Sequence, residues 1–192
     1  MFWHGTCFIS VMNTKTTTLG SILLALLLIA AAPLANAGSL QAVINGKSLH
    51  IDSDYDWNEN NYGVGFEYEF KSETRWIKTV LANGFRDSQD NMSYMAGAGI
   101  HRRLLSTDRF ADFYIDAGLT AFIMTREDID DNEPFPGLLP SVTFGNRYVG
   151  FNLSYVPKSV VHDFANANEV DPDIDGVLFL QFKVRLDRWL FD

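Results

Sequence analysis

From Leu40 onward the chain alternates apolar and polar residues at every second position, in segments separated by turn residues. This period marks strands that present one apolar and one polar face. Tyr62–Phe70 is the clearest case: Tyr62, Val64, Phe66, Tyr68 and Phe70 share one face, and Gly63, Gly65, Glu67 and Glu69 the other. The same reading predicts strands over Leu40–Ile51, Arg75–Arg86, Met92–Arg103 and Asp112–Thr125, around Leu138–Phe144, and over Arg147–Val156 and Gly176–Leu186. Val149, Phe151, Leu153 and Tyr155 align on one side of the seventh segment. Segments of about 9 to 13 residues suit a tilted bilayer crossing. Eight is even, and it is the smallest common strand count of bacterial outer-membrane barrels. The predicted fold class is all-β, an eight-stranded antiparallel up-and-down transmembrane β-barrel. The soluble alternative is a secreted lipocalin-like barrel, whose apolar face would turn inward.

Turn lengths agree with a membrane barrel. If the first strand runs outward, the inner turns fall at Ser72-Glu73, over Leu104–Ala111 and at Gly145-Asn146. The outer loops are Asp52–Asn61, Arg126–Glu133 and the acidic Lys158–Asp175, the usual asymmetry of short inner turns and longer outer loops. On the inward faces, Glu67, Glu69, Lys183 and Arg185, with His101, Arg103 and Asp112, fall at the inner ends. Opposite charges are expected to pair there, since an unpaired buried charge is costly. Toward the outer ends the inward residues become small or apolar: Gly63, Gly65, Gly97, Gly99, Gly118, Thr120, Phe122 and Met124. Glycines inside strands either make room for another group, here a hydrocarbon chain, or simply relieve crowding.

Ahead of the strands, Ser21–Ala32 is an apolar run preceded by Lys15 and followed by Ala35-Asn36-Ala37, the layout of a cleaved secretory signal. It is shorter than the roughly 20 apolar residues of a spanning helix. The expected organisation is a signal peptide over residues 1–37, with Met12 as the start of translation, and a single barrel domain over residues 38–192. The one cysteine, Cys7, falls in the removed part, which excludes a disulfide framework and a cysteine-based metal site. A formal net charge of −9, more negative once Lys15 is removed, argues against nucleic acid as a partner. No cofactor is expected, and no metal: Asp171, Asp173 and Asp175 read as a solvated acidic loop.

Candidate chemistry gathers at the outer rim. Asn83-Gly84-Phe85-Arg86-Asp87-Ser88 closes the third strand. Neighbours in a regular strand face opposite ways, so Asp87 and Ser88 act together only where the strand gives way to a loop. His50 ends the first strand and Arg126 the fifth, at the same rim. A neutral imidazole takes a hydroxyl proton, and a carboxylate orients the imidazole. A guanidinium binds a phosphate through two hydrogen bonds. A plain polar turn at Asp87-Ser88 is the competing reading.

Asn83–Gly99 (NGFRDSQDNMSYMAGAG) resembles the segment around the Asp-Ser pair of the lipid A palmitoyltransferase (PagP) family. Ala121–Glu127 (AFIMTRE) is similar to that family's strand ending in an arginine and an acid. Pro134-Phe135-Pro136-Gly137-Leu138-Leu139-Pro140, followed by Tyr155-Val156-Pro157, resembles its proline-marked wall. The resemblance implies a monomeric enzyme of the Gram-negative outer membrane that moves a palmitoyl-type chain from a membrane phospholipid to lipid A. It implies catalytic roles for His50, Asp87 and Ser88, and substrate contacts at Arg126 and Gly99, with Gly99 as the floor of an acyl-measuring pocket. Pro140 and Pro157 match prolines that flank lateral lipid gates, where a residue without an N–H leaves the strand ladder incomplete. The sequence departs from the family in three places. Gly38 leads almost directly into the first strand with no preceding amphipathic helix, the loop after His50 is shorter, and Asp187–Asp192 extends past the last strand.

Two other functions stand beside this one. One is a non-enzymatic outer-membrane barrel with a structural or adhesive role. The other is a lipid A deacylase, which would want His-x-Ser on one strand face, whereas the order here is Ser48-Leu49-His50.

Overall fold

Eight strands form where the alternation places them: Ser39–Ile51 (β1), Asn60–Glu69 (β2), Trp76–Arg86 (β3), Met92–Ser106 (β4), Tyr114–Thr125 (β5), Phe135–Gly145 (β6), Val149–Pro157 (β7) and Gly176–Arg185 (β8). The computed structural model describes residues 38–129, 132–164 and 170–186. The expected signal segment and the C-terminal tail Asp187–Asp192 lie outside the described residues. Each strand pairs antiparallel with its sequence neighbour, and β8 returns to β1, so the sheet closes into a barrel.

The apolar face points outward, as a membrane barrel requires and a lipocalin-like one does not. Tyr62, Val64, Phe66, Ile123, Leu138 and Leu153 are exposed on the outer surface. On that surface Phe144, Phe151 and Phe182 stack ring to ring across β6, β7 and β8, with centroids 5.5 and 5.1 Å apart. Tyr62, Tyr94 and Tyr155 lie near the outer ends of their strands, and Trp76 and Tyr148 near the inner ends. Aromatic girdles of this kind sit at the two membrane interfaces.

The interior is polar in its inner half, and its groups satisfy one another. Lys183 donates to both carboxylate oxygens of Glu67 at 2.9 Å, and Arg185 donates to Glu69 at 2.8 Å. Arg103 closes on Asp116 with two hydrogen bonds of 2.9 Å. Beneath these pairs the buried Tyr114 ring lies under both the Arg103 and Arg185 guanidinium groups, a favourable placement of cations over an aromatic face. A belt of side-chain amides runs above them. Asn83 donates to Asn45 at 3.0 Å, Gln181 to Asn45 at 2.8 Å, Asn152 to Gln181 at 2.9 Å and Thr143 to Asn152 at 2.9 Å. The belt thus links β3, β1, β8, β7 and β6.

Three details differ from the sequence reading. Asp112 does not join the inner ion pairs. It sits exposed in the turn after β4 with φ 64° and faces Arg147 at 3.6 Å; Asp116, on the inward face of β5, takes Arg103 instead. β6 starts at Phe135, before the predicted Leu138, and runs through Pro136 and Pro140. Its outer half pairs with β5 alone, so the missing N–H groups cost little there. The outer segment after β7 opens with a seven-residue helix, Lys158–Phe164 (α1), in place of a plain loop.

Two outcomes follow from this packing. Phe151→Arg places a charge on the lipid face and is expected to cost about 2–4 kcal/mol, seen as loss of the heat-modifiable folded band on gels. Lys183→Met leaves Glu67 buried and unpaired and should lower unfolding stability in lipid vesicles by about 3–5 kcal/mol. Pairing Lys183→Met with Glu67→Leu should recover most of that loss.

Candidate active site

One irregularity decides which way the end of β1 faces. Below it, Gln41, Val43 and Asn45 are the buried inward residues; above it, Ser48 is buried inward and His50 follows two positions later. The register slips on both sides of the strand: against β8, the three steps from Asn45 to Ser48 face two, and against β2, the two steps from Asn45 to Lys47 face three. A bulge of this kind reverses the facing of everything beyond it. With unbroken alternation, His50 would share the outward face of Ile44. Because of the bulge it faces the barrel interior.

His50 Nε2 lies 3.0 Å from Ser88 Oγ. On the other side of the ring, Glu59 Oε1 is 3.7 Å from Nδ1. Trp57 stacks on the imidazole with centroids 5.0 Å apart and planes 10° from parallel. Asp87, expected to orient His50, does something else. Its carboxylate accepts the backbone N–H groups of Gln89 and Asn91 at 2.9 and 3.0 Å and the Ser93 hydroxyl at 2.9 Å. It therefore fixes the turn that carries Ser88, and Glu59 is the carboxylate beside the ring.

Arg126 also departs from its expected role as a phosphate clamp. Its guanidinium closes on Asp128 through two hydrogen bonds of 2.9 and 2.8 Å, with Asp87 3.7 Å away. The Nε–H and one Nη2–H are thereby taken by Asp128, which leaves the Nη1 side of the guanidinium for any other acceptor.

Below the His50–Ser88 pair lies a cavity of about 640 Å³, within the roughly 300–1,000 Å³ range of small-molecule sites. Its deep lining residues include Phe85, Met95, Ala121, Phe122, Leu139 and Phe179, with Ser48 and Asn61 as the polar members on β1 and β2, so its floor is mostly apolar. Gly99 is not among the lining residues. It lies two inward positions beyond Met95, where an added Cβ would come within 2.6 Å of Thr79 Oγ1 and 3.0 Å of Thr120 Oγ1. The floor on that side is the Phe122 ring, which lies against Gly137 so closely that a Cβ there would sit 2.3 Å from the ring.

The cavity opens sideways. β6 and β7 pair only over Ser141–Gly145 and Gly150–Ser154, which leaves Phe135–Pro140 and Tyr155–Pro157 unjoined up to the rim. Pro140 and Pro157 bound this seam. Outward-facing Pro136 and Leu138 line the cavity together with inward-facing Gly137 and Leu139, so the space reaches the lipid side of the wall.

A roof covers the outer mouth. Trp57 from the first outer loop, Val161 from α1 and Ile174 from the last outer loop form a buried apolar cluster against Val156 and Val177. The loops are tied by polar contacts: the Trp57 indole donates to Ser53 at 2.6 Å, and the Ser53 hydroxyl donates to buried Asp171. That hydrogen bond holds the Asp171 carboxyl below the usual carboxylate range. The tie is therefore intact at neutral pH and is lost only as pH falls through the lowered value. Glu59, Trp57 and Asp171 were invisible as site residues because their roles arise from loop packing, which alternation does not encode.

The family described as "Antimicrobial peptide resistance and lipid A acylation protein PagP" matches residues 45–169. The lipid A acyltransferase PagP of Bordetella pertussis (strain Tohama I) is 30% identical over 129 residues, covering 64% of this chain and 69% of that protein. The lipid A acyltransferase PagP of Methylobacillus flagellatus is 32% identical over 108 residues, covering 56% of this chain and 55% of that protein. The crystal structure of Neisserial surface protein A aligns at TM-score 0.36 and 14% identity over 77% of this chain and 96% of that one, too loosely to bear on function. The family match runs from the bulge of β1 past the roofed cavity and the open seam, and over that stretch the chain belongs to the PagP family.

Proposed function

We propose that this protein is an outer-membrane lipid A acyltransferase that moves a palmitoyl-type chain from a membrane glycerophospholipid to lipid A. The observation that carries the reading is the His50–Ser88 hydrogen bond at the mouth of an apolar cavity that opens through the barrel wall. Family membership supplies the acyl acceptor, since the matched relatives are named lipid A acyltransferases. The seam between β6 and β7 faces the bilayer, where glycerol esters are the abundant source of fatty acyl chains. The site is complete within one chain, so the protein acts as a monomer.

In this reading the acceptor hydroxyl oxygen attacks the carbonyl carbon of the donor ester. The new ester bond forms as the bond from that carbon to the glycerol oxygen breaks. His50 Nε2 takes the proton from the attacking hydroxyl and returns it to the departing glycerol oxygen. Glu59, beside Nδ1, favours the tautomer with its proton there and leaves Nε2 free to accept. Ser88 is the protein hydroxyl within reach of Nε2 and positions the reacting group. Asp87 acts through the turn it fixes, and the apolar floor receives the chain.

The test is transfer of labelled acyl chains from phospholipid to lipid A by refolded protein in detergent. His50→Ala should lower kcat/KM by about 10²–10⁴-fold. Asp87→Ala should lose activity together with the hydrogen-exchange protection of the Gln89 and Asn91 amides, whereas Ser88→Ala should lose activity and keep that protection. A folded parent barrel that transfers nothing would return the protein to the structural or adhesive reading.

The floor makes a separate expectation about chain length. Phe122→Ala deepens the cavity and should shift the preferred acyl chain several methylenes longer, read by mass spectrometry of the product. Gly99→Ala, beneath the floor, should leave the profile in place; the reverse pattern would restore Gly99 as the measuring residue.

A further inference from the structure

Besides His50 Nδ1, which has Glu59 3.7 Å away, two buried polar atoms in the cavity wall have no hydrogen-bond partner: Ser48 Oγ and Asn61 Oδ1. Their residues are only 4% and 2% exposed. Leaving a buried polar atom unsatisfied is costly, so its presence calls for an explanation in function. Ser48 and Asn61 face inward on neighbouring strands, one residue to either side of the Lys47–Asn60 pair. Both line the cavity that also holds His50 and Ser88.

The amide of Asn61 has a fixed orientation. Its nitrogen donates to the backbone carbonyl of Arg86 at 2.9 Å, a contact the oxygen could not make, because a carbonyl only accepts. The free atom is therefore an acceptor and needs a donor. Ser48 adds a hydroxyl that both donates and accepts. Neither side chain carries a charge, so a neutral hydrogen-bond donor is the group that they match.

We propose that Ser48 and Asn61 form a subsite that holds a neutral hydrogen-bond donor, a hydroxyl or amide N–H, carried by the acyl acceptor next to the hydroxyl that reacts. This rests on the acyltransferase reading above and deepens it. The discriminating chemistry lies in the two substrates. The glycerol diester portion of a phospholipid has ester oxygens and no O–H or N–H, so it offers Asn61 Oδ1 nothing. An acyl acceptor must carry at least one hydroxyl. The subsite therefore recognises the acceptor and leaves the donor to the apolar floor. It also keeps the reacting hydroxyl within reach of His50 while a neighbouring group is held by the wall. A polar site that loses its ligand's donor is left unpaired, which is how such sites discriminate strongly.

The experiment compares two reactions of the refolded full chain on labelled phosphatidylcholine: transfer to lipid A, and hydrolysis to free fatty acid when lipid A is omitted. Asn61→Leu keeps the shape and removes the acceptor atom. It should raise the KM for lipid A at least tenfold and lower the ratio of transfer to hydrolysis by a similar factor, with Asn61→Gln recovering part of the loss. Ser48→Ala removes a single oxygen and should move the same ratio in the same direction; it carries the test if Asn61→Leu does not fold. A KM for lipid A and a ratio that stay within twofold of the parent in folded variants would overturn the subsite, and solvent would then satisfy these atoms. A parent that hydrolyses phospholipid and transfers to no lipid A would overturn the transfer reading and this assignment with it.

Discussion

The site depends on one break in the register of β1. Strand geometry gives a side chain two choices of face, and the bulge between Asn45 and Ser48 exchanges them. Below it the strand contributes Asn45 to the amide belt; above it the strand contributes Ser48 and His50 to the cavity. A regular β1 would give the interior one or the other. Gly46, inside the irregularity, lies where an added Cβ would be 3.1 Å from the Leu180 carbonyl oxygen. A small residue there lets β1 pass close to β8 while it changes phase.

The strands were legible because lipid and a narrow interior impose the same period on every crossing. Val149, Phe151, Leu153 and Tyr155 could be assigned to the lipid face without knowing any neighbour. The bulge was not legible, since Asn45-Gly46-Lys47-Ser48 carries no apolar mark that shows the phase changing. His50 was placed at the correct rim from its position at a strand end, but alternation alone would have turned it outward. α1 escaped notice because seven residues give too short a run for a helical period, and so short a helix is held by packing rather than by propensity. For Asp87 and Arg126 the expected partners were chemically reasonable, yet Ser93, Gln89 and Asn91 in one case and Asp128 in the other lay closer. From the sequence, Gly99 either makes room for a chain or relieves crowding; in the barrel, Thr79, Thr120 and His101 crowd the space beside it.

The barrel divides its interior into two kinds of space. In the inner half, most charges and amides among the described residues meet one another, with the buried Thr79 hydroxyl left over. In the outer half the lining turns apolar, the wall between β6 and β7 is left unjoined, and polar groups stand at the margin with partners still to find. The proline-bearing half of β6 belongs to the second space. Its ladder is one-sided, so opening it toward lipid breaks no hydrogen bond that the fold relies on. The roof of Trp57, Val161 and Ile174 closes the aqueous side above the same space.

The amide belt and the ion pairs beneath it have a consequence for the cell envelope as a whole. A cavity open to the membrane plane, at one end of a barrel that crosses that membrane, is a short distance from being a pore. From Asn83 round to Thr143, and again at Glu67–Lys183 and Arg103–Asp116, the lumen is crossed by side chains bonded to each other. Ions and small solutes meet a filled cross-section there. A membrane that holds this barrel thus keeps its permeability barrier although the barrel wall has an open seam, and electrical measurements on the inserted barrel should register it as silent.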